Sequence, residues 1–197
     1  PGIAVEMIKR LEHHIPELKI ELKRFPWLRC LTYLQHGVVD GVFNASFKKE
    51  RLRVGAYPYK NNQVDPSQRI TTISYSLYKL KTSQFVLGEL NQITEKPKVG
   101  ATRGYSIVED LRKKGILVDE SKSTQNAFNK LLKGRNVAVA AQDVTGDYLL
   151  NKYSEKFHNI VKVSPPIKTK PYYLMLSNQF TTKHPELSKK IWHTIAI

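Results

Sequence analysis

The side chains best suited to chemistry in this sequence are six histidines and a single cysteine, and neither set is spaced for it. His13-His14, His36, His158, His184 and His193 show no metal-ligand spacing, and neighbouring histidines on a helix point in different directions. Solvated imidazoles are the reading they support. Cys30 excludes an internal disulfide and a cysteine metal cluster, and beside Leu28, Leu31 and Leu34 it reads as a buried, packed thiol. Neither Gly-x-Ser-x-Gly nor Gly-x-x-x-x-Gly-Lys-Ser/Thr occurs, and Gly100-Ala101-Thr102-Arg103-Gly104 lacks the lysine that a phosphate loop places next. With no paired general acid and base in sight, the expectation is that the chain is not an enzyme and has no catalytic residues, no metal and no cofactor.

A net charge of +15 draws attention to nucleic acid, but the lysines and arginines are dispersed, in Lys48-Lys49, Lys113-Lys114, Lys168 to Lys170 and Lys189-Lys190. Zinc-finger spacing, an aromatic RNA-binding signature and a basic region leading into heptads are all missing, so we expect no nucleic-acid partner. No stretch approaches the ~18 to 20 apolar residues of a membrane-crossing helix. With 197 residues, 41% of them hydrophobic, the chain can bury one sizeable core or two modest ones.

Any binding residues must be placed by short alternating helices and strands, the pattern of an α/β fold with mainly parallel sheets. Ala4, Ile8, Leu11 and Ile15 recur at helical spacing, and Leu18, Ile20 and Leu22 then alternate as a strand. A second helix opens near Trp27, turns Leu28, Leu31 and Leu34 inward and ends at Gly37, before a strand from Val38 to Ala45. Arg69 to Lys81 reads as one long extended stretch. The alternation restarts with a strand at Val99 to Thr102, a capping box at Ser106-Ile107-Val108-Glu109, and a strand at Ile116 to Val118. A helix capped by Thr124 ends at Gly134 before a strand at Val137 to Ala141. Pro165-Pro166 breaks the chain after Ile160 to Val163, Tyr172 to Leu176 makes another strand, and Leu187, Ile191 and Ile195 mark a last helix.

Leu31-x-x-Leu34-x-x-Gly37 matches Phe128-x-x-Leu131-x-x-Gly134 at an offset of 134 minus 37, or 97 positions. Two similar lobes are one reading; any helix-Gly-strand unit aligning this well is the other. The domain expectation is lobe 1 over residues 1–78, lobe 2 over 79–164 and a return to lobe 1 over 165–197, with crossings near Arg69 to Leu80 and Pro165 to Tyr173.

Several of these segments carry a family resemblance. Phe25-Pro26-Trp27, the run Leu34-Gln35-His36-Gly37-Val38-Val39-Asp40-Gly41 and Lys49-Glu50-Arg51-Leu52 are similar to the first lobe of the family 3 extracellular solute-binding proteins, the amino-acid receptors of bacterial ABC importers. Val99 to Ser106, Leu132-Lys133-Gly134-Arg135 and Ala141-Gln142-Asp143 resemble that family's second lobe, in the same order and at similar separations. The resemblance implies a type II periplasmic-binding-protein-like fold, two-lobed α/β with two sheets joined by two crossover strands. It further implies a small polar solute, an amino acid or related zwitterion, held in the cleft between lobes. An inner-membrane ABC permease is the implied partner, and the implied state is a monomeric periplasmic protein exported by a signal peptide. The alternative is the extracellular sensing domain of a bacterial signalling protein, with a fused signalling module in place of the permease. Measured against the family, the sequence starts at the helix that Gly2 to Glu6 resembles, so the first strand is expected to be missing from it.

By the same resemblance Arg51 matches the arginine that grips the ligand carboxylate, a role for which a planar bidentate fork is suited. Composition alone favours a surface arginine of the run Lys48 to Arg53, and the motif match reverses that reading. Asp143 stands at the family's ammonium-binding aspartate, and also reads as a helix cap. The helix start at Tyr105-Ser106 suits an anion, although the family usually has small hydroxyl residues at both positions. Asn44 and Ser46 can hydrogen-bond a ligand, and Trp27, Tyr57 or Tyr105 can supply an aromatic wall, each with ordinary packing as its bland counterpart.

Overall fold

The computed structural model describes residues 2–87 and 97–196. In chain order the elements are α1 (Ile3–His14), α2 (Trp27–Gln35), β1 (Gly41–Ser46), a 3-10 turn (Lys49–Arg53), β2 (Tyr59–Lys60), β3 (Gln63–Val64), a second 3-10 turn (Pro66–Gln68) and β4 (Thr71–Leu80). There follow β5 (Lys98–Thr102), α3 (Ser106–Lys113), β6 (Leu117–Ser121), α4 (Thr124–Leu132), β7 (Ala138–Gln142), α5 (Asp143–Lys152) and α6 (Ser154–Phe157), then β8 (Ile160–Leu176), α7 (Asn178–Lys183) and α8 (Pro185–Ile195). The chain divides into two compact units, residues 1–72 with 170–197, and residues 73–169.

In the first unit, the end of β8 pairs antiparallel with β1, and its side chains alternate between two cores. Leu174 and Leu176 pack with Ile8, Leu11 and Ile15 of the N-terminal segment and Ile191 and Ile195 of α8. Tyr173 and Met175 face Leu34, Val42 and Tyr57. Trp192 of α8 ties the first cluster to the backbone through a 2.9 Å bond from Nε1 to the Leu174 carbonyl. Three sequence expectations fail here. Residues 18–22 form no strand: Leu18 and Ile20 pack against the first cluster, but a strand also requires a ladder, and the amide of Ile20 is taken by the Glu12 carboxylate at 2.7 Å. Leu28 turns out to solvent at 46% exposure, and Cys30 is only half-buried, its Sγ 3.5 Å from the Phe25 carbonyl. The apolar stripe of α2 is narrower than its composition suggests.

In the second unit, β5 lies parallel to both β6 and β7, and β7 is antiparallel to β4. α4 buries Ala127, Phe128 and Leu131 against Tyr78, Val139 and Phe157, and α3 buries Ile107, Val108 and Leu111. The strand order β1-β8-β4-β7-β5-β6 is therefore mixed rather than mainly parallel, and it is one hydrogen-bonded sequence because β4 and β8 are ladder members and not bare linkers. β8 runs unbroken for 17 residues through Pro165-Pro166. Ser164, Pro165 and Pro166 are exposed there, where a missing amide donor orphans no buried acceptor.

Gly37 and Gly134 end their helices as predicted, at φ 65° and 67°. Each donates to the carbonyl three residues back, and the next residue donates five back, to Tyr33 and Lys130 respectively. Gly115 and Ile116 repeat the pattern at the end of α3, so the 97-residue match reflects a helix ending used three times and says nothing particular about a repeat.

Two predicted caps shift by one residue. Ser123, not Thr124, accepts from the Asn126 amide, and Tyr105, not Ser106, is the cap residue of α3. In both cases the candidate hydroxyl already has helical backbone and serves as the first helical residue.

Candidate functional sites in the two units

In the first unit the 3-10 turn after β1 folds Arg51 back over the strand it has just left. Arg51 is 7% exposed, and its Nη1 donates to the Ser46 carbonyl at 2.8 Å and to Ser46 Oγ at 3.3 Å. The Tyr57 hydroxyl donates to the same carbonyl at 2.9 Å. Arg51 Cζ also lies 5.2 Å from the Trp27 ring centroid, within cation–π range, and the Trp27 Nε1 donor is buried without a partner. Burial pushes the Tyr57 phenol up to about 12, against the opposing pull of Arg51. Four of the sequence candidates, Arg51, Ser46, Trp27 and Tyr57, thus share one half-apolar nest. Asn44 is instead exposed, in the left-handed region at φ 60°, where the β1–β8 register shifts between Val42 and Ala45.

In the second unit the chain reverses its lateral direction at β5. α3 leads from β5 to β6 on one side, and α4 returns from β6 to β7 on the other. In open α/β sheets such a switch point opens a crevice beyond the carboxyl ends of the strands. The helices that follow these three strands start at Ser106, Thr124 and Asp143, with the positive ends of their dipoles at that edge. Tyr105 is half-buried and Ser106 fully buried. Thr102 Oγ1 meets Thr124 Oγ1 at 3.1 Å, and Gln142 Nε2 donates to the Tyr75 hydroxyl at 3.2 Å.

Asp143 opens α5, and Asp147 lies one turn on. Lys162 of β8 bridges them, 2.9 Å from Asp143 Oδ2 and 2.8 Å from Asp147 Oδ2, and both hydrogen bonds raise its pKa. The Tyr78 hydroxyl donates to Asp147 Oδ1 at 2.7 Å, and burial first, then the Asp147 and Asp143 carboxylates, raise the phenol's pKa. Asp143 Oδ1 is left buried and unpartnered. Lys162, Tyr78, Gln142 and Thr102 were not among the sequence candidates. Lys162 did carry a signal, a lone cation within the apolar run Ile160 to Val163, where a half-buried ammonium calls for a carboxylate.

No family model matches this chain, and no curated protein matches it. Solved structures do. A histidine kinase sensor domain with similarity to periplasmic binding proteins superposes with a TM-score of 0.79 at 19% identity, covering 99% of this chain and 78% of that one. An ancestral arginine-binding protein bound to glutamine gives 0.76 at 18%, covering 98% and 80%. The GluR0 ligand binding core in complex with L-glutamate gives 0.75 at 16%, covering 99% and 82%. The fold is therefore the two-lobed, periplasmic-binding-protein-like α/β fold, in a mixed-sheet form.

Proposed function

We propose that this chain binds a small zwitterion, an amino acid or close relative, with Arg51 taking the carboxylate and Asp143 the ammonium. The observation that carries the reading is the Arg51 nest. A guanidinium already stripped of most of its water and held in place over Ser46 is preorganised for an anion, at little further cost in entropy or desolvation. The switch-point edge of the second unit, with Asp143 and the helix starts at Tyr105-Ser106, supplies the complementary groups. Asn44 is a rim contact at most. The amino-acid ligands named for two structural neighbours agree with this chemistry.

Two settings suit such a module: an exported periplasmic receptor that hands its solute to an ABC permease, or the sensing domain of a signalling protein. The second gains support from the likeness to a kinase sensor domain. Calorimetry with L-arginine, L-glutamine and L-glutamate tests the binding reading in either setting. Arg51→Ala should weaken whichever ligand binds by about 3 to 5 kcal/mol, because the ligand carboxylate is left buried without its partner. Asp143→Asn should weaken ligands carrying an ammonium and leave a dicarboxylate lacking one at least as tightly bound. Unchanged affinity in both variants would sink the proposal.

A further inference from the structure

The acidic pair on α5 already holds a cation of the protein's own, since Lys162 takes one oxygen of each carboxylate. We propose that Lys162 sets the charge preference of the Asp143 site, an inference that rests on the reading above. Asp143 and Asp147 lie one helical turn apart on α5, on the same face. Gly146 lies on that face as well, and its lack of a side chain lets the Tyr78 ring reach Asp147 from beneath. One oxygen of each carboxylate goes to Lys162 and one oxygen of Asp147 to Tyr78, which leaves Asp143 Oδ1 as the acceptor for an incoming donor. The cluster therefore sums to one negative charge rather than two. A ligand cation that reaches Oδ1 arrives on a carboxylate whose other oxygen already holds an ammonium at 2.9 Å, so part of its attraction is cancelled by like charge. Lys162 is thus a specificity residue. It penalises ligands of net positive charge and favours neutral or anionic amino acids, for which one N–H donor to Oδ1 is enough.

The test uses calorimetry on the full-length protein with L-arginine and L-glutamate as probes, in wild type, Lys162→Met and Lys162→Arg. Removing the cation should raise the preference for L-arginine over L-glutamate about tenfold, and less at high ionic strength. Lys162→Arg keeps the charge and should hold the wild-type ratio. If Lys162→Met changes both affinities by the same factor, or lowers thermal stability with the ratio unmoved, Lys162 is only a structural clamp and the inference is overturned. If wild-type protein binds neither these probes nor L-glutamine, the amino-acid reading itself fails, and the role of Lys162 falls with it.

Discussion

Replacing Gly146 by alanine sets two effects of opposite sign against each other in the helix that carries Asp143. An interior helical glycine is normally improved by alanine, by about 0.5 to 1 kcal/mol. Here the added Cβ would overlap the ring and hydroxyl of Tyr78, with Cε2 at 2.6 Å, well inside van der Waals contact. The ring cannot retreat: Tyr78 is fully buried, and Phe128 packs against it with ring centroids 5.3 Å apart. Overpacking costs about 1 to 3 kcal/mol, and a displaced ring also loses its 2.7 Å bond to the Asp147 carboxylate, another ~1.5 to 3 kcal/mol. The propensity gain offsets only part of this, so Gly146→Ala should destabilise by about 2 to 4 kcal/mol. Urea unfolding followed by far-UV circular dichroism reads this as a lower midpoint. In a Tyr78→Leu background the obstruction is gone, and the same substitution should become neutral or stabilising by ~0.5 kcal/mol. A wild-type-background midpoint that stays put or rises, or a substitution that keeps its sign in both backgrounds, would refute the close approach of α5 to Tyr78.

Alkaline pH should weaken the fold, because the phenol of Tyr57 is raised to about 12 and those of Tyr78 and the ammonium of Lys162 are raised as well. The unfolded chain loses these protons first, so stability is intact below pH ~10 and falls as pH climbs above it. Tyr57 alone accounts for about 2 to 3 kcal/mol by pH 12, and Tyr57→Phe should flatten a plot of unfolding free energy against pH between 10 and 12. At Gly134, where an added Cβ would meet nothing within 4 Å, alanine should cost only the left-handed backbone strain, ~1 to 2 kcal/mol, with the slope of the urea transition unchanged.

Local chemistry was readable wherever one residue type has one job. Gly37, Gly115 and Gly134 end their helices because a left-handed cap needs glycine, and β5 and β7 fall within one residue of the places their valine and alanine runs suggest. What escaped depended on partners distant in sequence. Leu18, Ile20 and Leu22 alternate as a strand should, but alternation says nothing about whether a ladder is on offer. Pro165-Pro166 looked like a break because sequence does not tell which side of a strand faces water. In the sequence Arg51 reads as either surface charge or buried fork, and it is the turn Lys49–Arg53, folding it over Ser46, that buries it. In the sequence Asp143 stands alone, and its bond to Lys162, 19 positions away on another element, is a tertiary fact that no local pattern encodes.

The order in which the chain is made bears on how the interleaved units are completed. Residues 73–169 form a contiguous unit, so every partner in its core has been synthesised by the time β8 is half made. The first unit has to wait. Ile8, Leu11 and Ile15 pack in one cluster with Ile191 and Ile195, and Glu17 meets Lys190 across 173 positions, so the apolar face of α1 is not fully covered until α8 emerges. α1 is therefore made well before the helix that completes its burial, and for that interval it depends on whatever shields exposed hydrophobic helices during synthesis.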